Sequence, residues 1–297
     1  MTGAERGFLL LGSHLGMQEQ RILTGPQLRK LTARVRNAPK PSQDRELQLQ
    51  DITALGYGLQ MAEQILFLLS RKKQLEYYLR AGARLGCHPL TRASGAYPSR
   101  WSAALGDDSP ACVWYKGDLS LLARPMVALV GSRELCEENA AFAREAGRQA
   151  ALQGYVLVSG NARGSDITAQ EACLQAGGSV ISIVADDLSR HKEREGVLFI
   201  SEEDYDAPFS AQRALRRNRL IHSLGSVTFV AQCSARSGGT WDGTVHNLFG
   251  RHSPVFCFGD GSDAVRQLEQ MGAQCIGMDA LQAFSQLKST EISLFEG

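Results

Sequence analysis

The chain has 297 residues, 43% of them hydrophobic, enough for a full core and for two domains or one large one with an appendage. Its 32 Lys and Arg against 31 Asp and Glu leave a formal net charge of +1, so any grip on a polyanion must come from a local basic patch and not from bulk charge. No apolar run reaches membrane length, and Phe8-Leu9-Leu10-Leu11 is too short for a signal sequence.

These features point to a soluble, cytoplasmic protein. The seven cysteines (Cys87, Cys112, Cys136, Cys173, Cys233, Cys257 and Cys275) are scattered, form no C-x-x-C pair, and in several cases sit inside apolar runs. They read as reduced core thiols.

Residues 1–80 are expected to be helical, because Leu28, Leu31, Val35, Ile65, Leu66, Leu69, Leu75 and Leu79 recur at helix spacing. The polar, two-proline stretch from Asn37 to Asp44 reads as a linker between helices. Residues 84–125 are transitional, with turn signals at Tyr97-Pro98, Asp108-Ser109-Pro110 and Lys116-Gly117-Asp118, and a short strand at Ala111 to Tyr115. From Met126 the rhythm changes. Met126 to Val130 is a continuous apolar run, the mark of a strand buried on both faces. An alanine-rich helix follows, then strands at Tyr155 to Val158, Val180 to Val184, Val197 to Ile200, Val227 to Ala231 and Val255 to Phe258, with helices between most of them. The pattern predicts an α/β fold: a Rossmann-like, mostly parallel sheet with helices on both faces, preceded by a small helical domain. The expected division is residues 1–84 as a helical accessory, SAM-like domain and residues 85–297 as an extended Rossmann-like domain.

Right-handed crossovers would put the strand-to-helix loops on one sheet edge, where open α/β sheets bind ligands. Four segments near strand ends stand out: Gly131-Ser132-Arg133; Ser159-Gly160-Asn161-Ala162-Arg163-Gly164-Ser165-Asp166; Arg213-Ala214-Leu215-Arg216-Arg217-Asn218-Arg219; and Ser237-Gly238-Gly239-Thr240. Glycine lets backbone N–H groups approach an anion, hydroxyls add donors, and each following helix aims its positive end at the same place. Arg133 and Arg163 can add bidentate phosphate contacts. The segment 211–219 holds four arginines and no acid, which makes it the expected basic footprint. Singly, a strand-Gly-Ser loop is an ordinary turn, a basic segment is a solvated helix face, and Asp166 is a favourable first-turn residue. Together on one edge they predict a phosphate-type site.

The chain lacks G-x-G-x-x-G after the first strand, G-x-x-x-x-G-K-[ST], H-E-x-x-H and G-x-S-x-G, which argues against ordinary dinucleotide binding, P-loop hydrolysis, zinc proteolysis and nucleophile-elbow chemistry. No cofactor and no metal are expected. Ser201-Glu202-Glu203-Asp204 is acidic, and such a run is more often a solvated loop or helix start than a metal site.

The same residues carry a family likeness. Val130-Gly131-Ser132-Arg133, Ser159-Gly160-x-Ala162-Arg163-Gly164-x-Asp166, Ser201-Glu202, Arg217-Asn218-Arg219-x-Ile221 and Ser237-Gly238-Gly239, led by Tyr97-Pro98 and Trp114-Tyr115-Lys116-Gly117, resemble the DprA/Smf (DNA-processing protein A) family over roughly residues 85–285. The resemblance implies a single-stranded DNA-binding, non-catalytic protein of DNA processing and recombination. Its family forms homodimers and loads RecA during natural transformation. Carried over by motif, the DNA-contacting candidates are Gly131, Ser132, Arg133, Ser159, Gly160, Arg163, Arg217, Asn218 and Arg219, with Ser237 and Gly238 lining the same pocket. Asn161, Gly164, Asp166, Arg213, Arg216, Gly239 and Thr240 complete the expected phosphate-binding set. The chain departs from the family pattern at Gln170 (usually His), Gln232-Cys233 (Glu-Ala), Asp242-Gly243 (Thr-Ala) and Gly259-Asp260 (Pro-Gly). It is also read as lacking the C-terminal winged-helix domain of many members.

Two other readings stand beside this one, the first a Rossmann-like nucleotide-binding sensor or small-molecule enzyme of the same superfamily. Ser237-Gly238-Gly239-Thr240-Trp241-Asp242-Gly243-Thr244 also looks like the phosphate loop of LOG-type nucleoside-monophosphate phosphoribohydrolases, although the glutamate those enzymes carry after that loop is missing here. The third reading is an interaction protein with a degenerate pocket.

Overall fold

The structure is a computed structural model that describes residues 1–38 and 46–287. The expected linker from Asn37 to Asp44 lies, from residue 39 on, outside the described residues. Five helices come first: α1 Gly3–Gly12, α2 Gly25–Asn37, α3 Leu49–Ala54, α4 Leu59–Ser70 and α5 Lys72–Arg84. A capping box starts α1: the Glu5 N–H donates to the Thr2 hydroxyl and the Thr2 N–H donates to the Glu5 carboxylate. Then follow β1 His88–Thr91, α6 Ser99–Leu105, β2 Cys112–Gly117, β3 Met126–Val130, α7 Glu137–Leu152, β4 Val156–Ser159, α8 Ser165–Gln175, β5 Ser179–Val184 and β6 Val197–Ser201. The last elements are α9 Ala211–Leu224, β7 Thr228–Val230, α10 Gly238–Gly250, β8 Val255–Phe258, α11 Asp263–Gln270 and β9 Gln274–Ile276.

Among the described residues, nine strands form one sheet in the order β1-β2-β6-β5-β4-β3-β7-β8-β9. It is parallel from β6 to β9, and β1 and β2 run antiparallel at one edge. The chain winds from β3 outward to β6, then returns to lay β7 on the other side of β3. That reversal opens a crevice beyond the carboxyl ends of β3, β4 and β7.

Alternation within β3 divides the core. Val127 and Leu129 pack with Phe142, Ala143 and Ala146 of α7 and Ala169 of α8. Ala128 and Val130 pack with Leu220, Ile221 and Leu224 of α9. All five β3 residues are buried, which is why the sequence shows a solid apolar run there instead of an alternating one. The edge strands β1 and β9 were not expected. β1 carries Pro89, and β9 is a three-residue strand flanked by Gly272 and Gly277. Five cysteines are buried as expected, but Cys136 and Cys275 are exposed, one capping α7 and the other on the edge strand.

The helices before β1 have a small core of their own, with Leu11, Leu28, Leu31, Ile52, Ile65 and Leu68. They also join the main core. Tyr78 of α5 stacks on Tyr205 at 4.3 Å between ring centroids and meets Trp114 edge-on at 5.3 Å. Polar ties reinforce this. The Ser13 hydroxyl and the Gly16 N–H donate to the two oxygens of Asp204, each at 2.6 Å, and the Tyr78 hydroxyl donates to Asp206 at 2.6 Å.

Candidate nucleic-acid interface

A cavity of about 760 Å³ occupies the crevice. Its walls come from the loop after β3 (Gly131, Ser132, Arg133), the loop after β4 (Arg163, Asp166), α9 (Arg217, Asn218) and the segment entering α10 (Ser237 to Thr240). Gln232, at a position where the family pattern differs, ties two of these loops. Its carbonyl accepts from the Ser132 N–H at 2.8 Å and the Ser132 hydroxyl at 3.2 Å, and its side-chain oxygen accepts from the Cys136 N–H at 2.9 Å. The loop after β4 rests on the loop after β3. Ser165 donates to the Ser132 carbonyl through both N–H and hydroxyl, each at 3.1 Å. Gly164 makes this possible. Its φ is +88°, and a Cβ there would stand 2.5 Å from the Ser132 carbonyl oxygen.

The cavity offers donors to an anion. Arg133 is exposed. The Arg163 side chain is 80% exposed and lies 3.8 Å from a Glu134 carboxylate that is itself 92% exposed, a pairing too solvated to hold it. Ser237 precedes α10 without capping it through its side chain, and Gly238 has open space around its Cα. The first turn of α10 thus lines the cavity without a side-chain cap from Ser237, and the positive end of the helix lies there. The Asn218 side chain fixes that end by donating to the Gly239 carbonyl at 2.9 Å.

Arg217 differs from these two arginines. It is only 7% exposed. Nη1 donates to the Ile183 carbonyl at 2.6 Å, and Nη2 lies 3.9 Å from the buried Asp166 carboxylate. Its guanidinium lies against Gly160 so closely that a Cβ there would be 1.6 Å from Nη1. Burial pushes the Asp166 carboxyl up and the Arg217 guanidinium down, and each is opposed by the other's charge. Asp166 also accepts the Ala162 N–H at 3.1 Å. The pair therefore braces the loop after β4 from beneath.

Gly160 and Asn161, the latter at φ +63°, border a side cavity of about 380 Å³ that shares Arg133, Arg163 and Arg217 with the main one. Five expected residues line neither cavity: Gly164, packed against the loop after β3, and Ser159, Arg213, Arg216 and Arg219. Ser159 is fully buried, and its hydroxyl accepts from Gln170 Nε2 at 2.6 Å. Gln170 thus bonds inward where the family pattern usually has His. The basic footprint expected of segment 211–219 is not free: two of its four arginines are paired with Glu202 and Glu203, Arg217 faces Asp166, and Arg213 is held by backbone carbonyls. Arg219 makes a two-pronged pair with Glu202 at 2.5 and 3.0 Å. Arg216 meets Glu202 at 3.2 Å and Glu203 at 3.8 Å. Arg213 donates to the carbonyls of Ala207 and Pro208. The acidic run is thus engaged and not a solvated loop: Glu202 and Glu203 pair with α9, and Asp204 accepts from Ser13 and Gly16. Among the described residues no group of three or more His, Cys, Asp or Glu could hold a metal, and no helix is long and apolar enough to cross a membrane.

Sequence reasoning missed Phe209, 56% exposed, and Asp186, both on the side cavity. A phenylalanine directly before the helix-capping Ser210 was a readable signal. Asp186 carried none.

A family model, DNA recombination-mediator protein A, matches residues 88–278. The chain belongs to that family. The family's DNA processing protein DprA from Streptococcus pneumoniae is 32% identical over 208 residues, 63% of this chain and 71% of the relative. Protein Smf of Escherichia coli is 29% identical over 192 residues, and the chain spans about half (51%) of that protein's length. The X-ray structure of the S. pneumoniae protein superposes with a TM-score of 0.72 at 25% identity, over 97% of this chain and 99% of that one. A DprA structure from Helicobacter pylori, described for its single-stranded DNA binding mode, superposes with a TM-score of 0.55 at 25% identity, over 66% of this chain and 92% of that one. Membership carries the fold. The family-pattern loops that the sequence scatters over a hundred residues meet at one crevice.

Proposed function

We propose that the crevice binds the sugar–phosphate backbone of single-stranded DNA and that the protein is a non-catalytic mediator of recombination. One observation carries this reading: exposed Arg133 and Arg163 share a cavity with the open amino-terminal end of α10. Such a surface tracks phosphates without reading sequence. The H. pylori relative, described as binding single-stranded DNA, supports the choice of polymer. In the fuller form of this proposal the protein works as a cytoplasmic homodimer and helps RecA assemble on the bound strand. Residues 1–84 then serve as an accessory unit.

The phosphoribohydrolase reading has less support. A carboxylate must be free to act on a ribosyl bond. Of the two carboxylates lining the main crevice, Asp166 is locked against Arg217 and the Ala162 N–H, and Glu134 is 92% exposed.

A labelled all-thymine oligonucleotide should bind with an affinity that falls steeply with salt. Arg133→Ala and Arg163→Ala should each weaken it and lower the salt slope by about 1. Failure to bind the oligonucleotide, or release of free adenine from AMP, overturns the proposal. Faster RecA assembly on the oligonucleotide in the presence of the protein checks the mediator step.

A further inference from the structure

The side cavity differs in chemistry from the crevice it joins. Phe209 forms one wall, and its ring has no aromatic partner among the described residues. Leaving most of a phenyl ring's surface in water forgoes burial energy, and an unpaired ring beside arginines is the arrangement on which bases stack in single-strand sites. The backbone that carries the ring is tied down on both sides. Arg213 donates to the carbonyls of Ala207 and Pro208, the two residues before it, and Ser210 caps α9 directly after it.

Asp186, half-exposed just beyond β5, lines the same cavity. Its Oδ1 lies 3.0 Å from His191 Nε2, and the His191 ring stacks on Phe199 at 4.8 Å. That bond holds the carboxyl below its ordinary value, so it is ionised at neutral pH. A carboxylate repels phosphate. It favours a group that presents N–H donors, and a volume of about 380 Å³ suits a small planar one. Among the bases, only guanine places two adjacent donors, N1–H and the N2 amino group, on one edge. Thymine offers one N–H flanked by two carbonyl oxygens, and adenine and cytosine one amino group beside an acceptor nitrogen.

We propose that the side cavity is a nucleobase subsite selecting guanine in the bound strand, with Phe209 stacking the base and Asp186 accepting from its N1–H and N2 amino group. The inference rests on the reading that a single strand occupies the main crevice. The same chemistry could come from a free guanosine phosphate, so both sources are tested.

Anisotropy titrations would compare a short all-thymine oligonucleotide with versions carrying one central guanine, inosine, adenine or cytosine. The guanine strand should bind about tenfold more tightly than all-thymine. Inosine, which lacks the N2 amino group, should fall between them, a ligand-side check that does not depend on any variant folding. Asp186→Asn should bring the guanine-to-thymine ratio to about one, and Phe209→Leu should weaken both strands. Equal affinity for the guanine and thymine strands overturns the subsite while leaving the strand reading standing. Binding of neither strand overturns the strand reading and takes the subsite with it. GMP competing as strongly as the guanine strand overturns its assignment to a polynucleotide.

Discussion

Arg217 and Asp166 face each other at 3.9 Å, each with less than a tenth of its side chain exposed. Removing one member of a buried pair strands the other's charge, at a cost of about 3–5 kcal/mol. Arg217→Ala should therefore lower the urea midpoint of unfolding as well as DNA affinity, and adding Asp166→Asn should restore part of the stability. An additive double variant would show that the two do not interact. Arg163→Ala should leave the midpoint nearly unmoved, since its pairing is solvent-exposed. The sequence places both arginines in one motif set and gives no way to tell the structural one from the free one. That difference is set by Gly160, whose missing Cβ leaves room for the Arg217 guanidinium.

At the scale of elements, α9 shows what periodicity conveys and what it hides. Leu220, Ile221 and Leu224 enter the core, Arg217 and Asn218 face the crevice, and Arg216 and Arg219 turn to Glu202. Four arginines in nine residues read as a basic patch because the neutralising acids sit on another element, at the end of β6. The parallel strands were legible because both their faces are buried, leaving solid apolar runs. β1 and β9 lie at the sheet's edges, and their short mixed sequences do not separate from loops. The loops after β3, β4 and β7 were legible as a set because each combines glycine, hydroxyl and arginine residues. Phe209 and Asp186 belong to no such pattern, and only the fold brings them together.

For the molecule as a whole, acid should act through a buried histidine. His222 of α9 is fully buried, its Nδ1 lies 3.3 Å from the Thr228 hydroxyl, and burial, helped by His252 and His246, lowers its pKa from 6.5 to about 3. The unfolded chain takes up this proton near its ordinary pKa while the folded one refuses it. The stability is therefore present above about pH 6.5 and is lost as the pH falls from there toward 3. Between pH 6.5 and 5 the loss from this group is roughly 2 kcal/mol. His222→Gln should flatten the dependence of the urea midpoint over that range. A parallel curve for the variant would place the acid sensitivity elsewhere.

The segment between β6 and α9 is held at both ends. Asp204 accepts from Ser13 and Gly16, Asp206 accepts from Tyr78, and Arg213 grips Ala207 and Pro208 from the far side. A base pressed against Phe209 therefore loads a short bridge whose other footing is the turn after α1. Occupancy of the groove should be felt at that footing, where the Gly16 amide is bonded to a carboxylate. Its hydrogen–deuterium exchange should slow when a guanine-bearing strand binds, although Gly16 lines neither cavity. An unchanged rate would mean that the bridge is stiff enough to carry no signal. A slowed one would make the amino-terminal helices a gauge of what the groove holds.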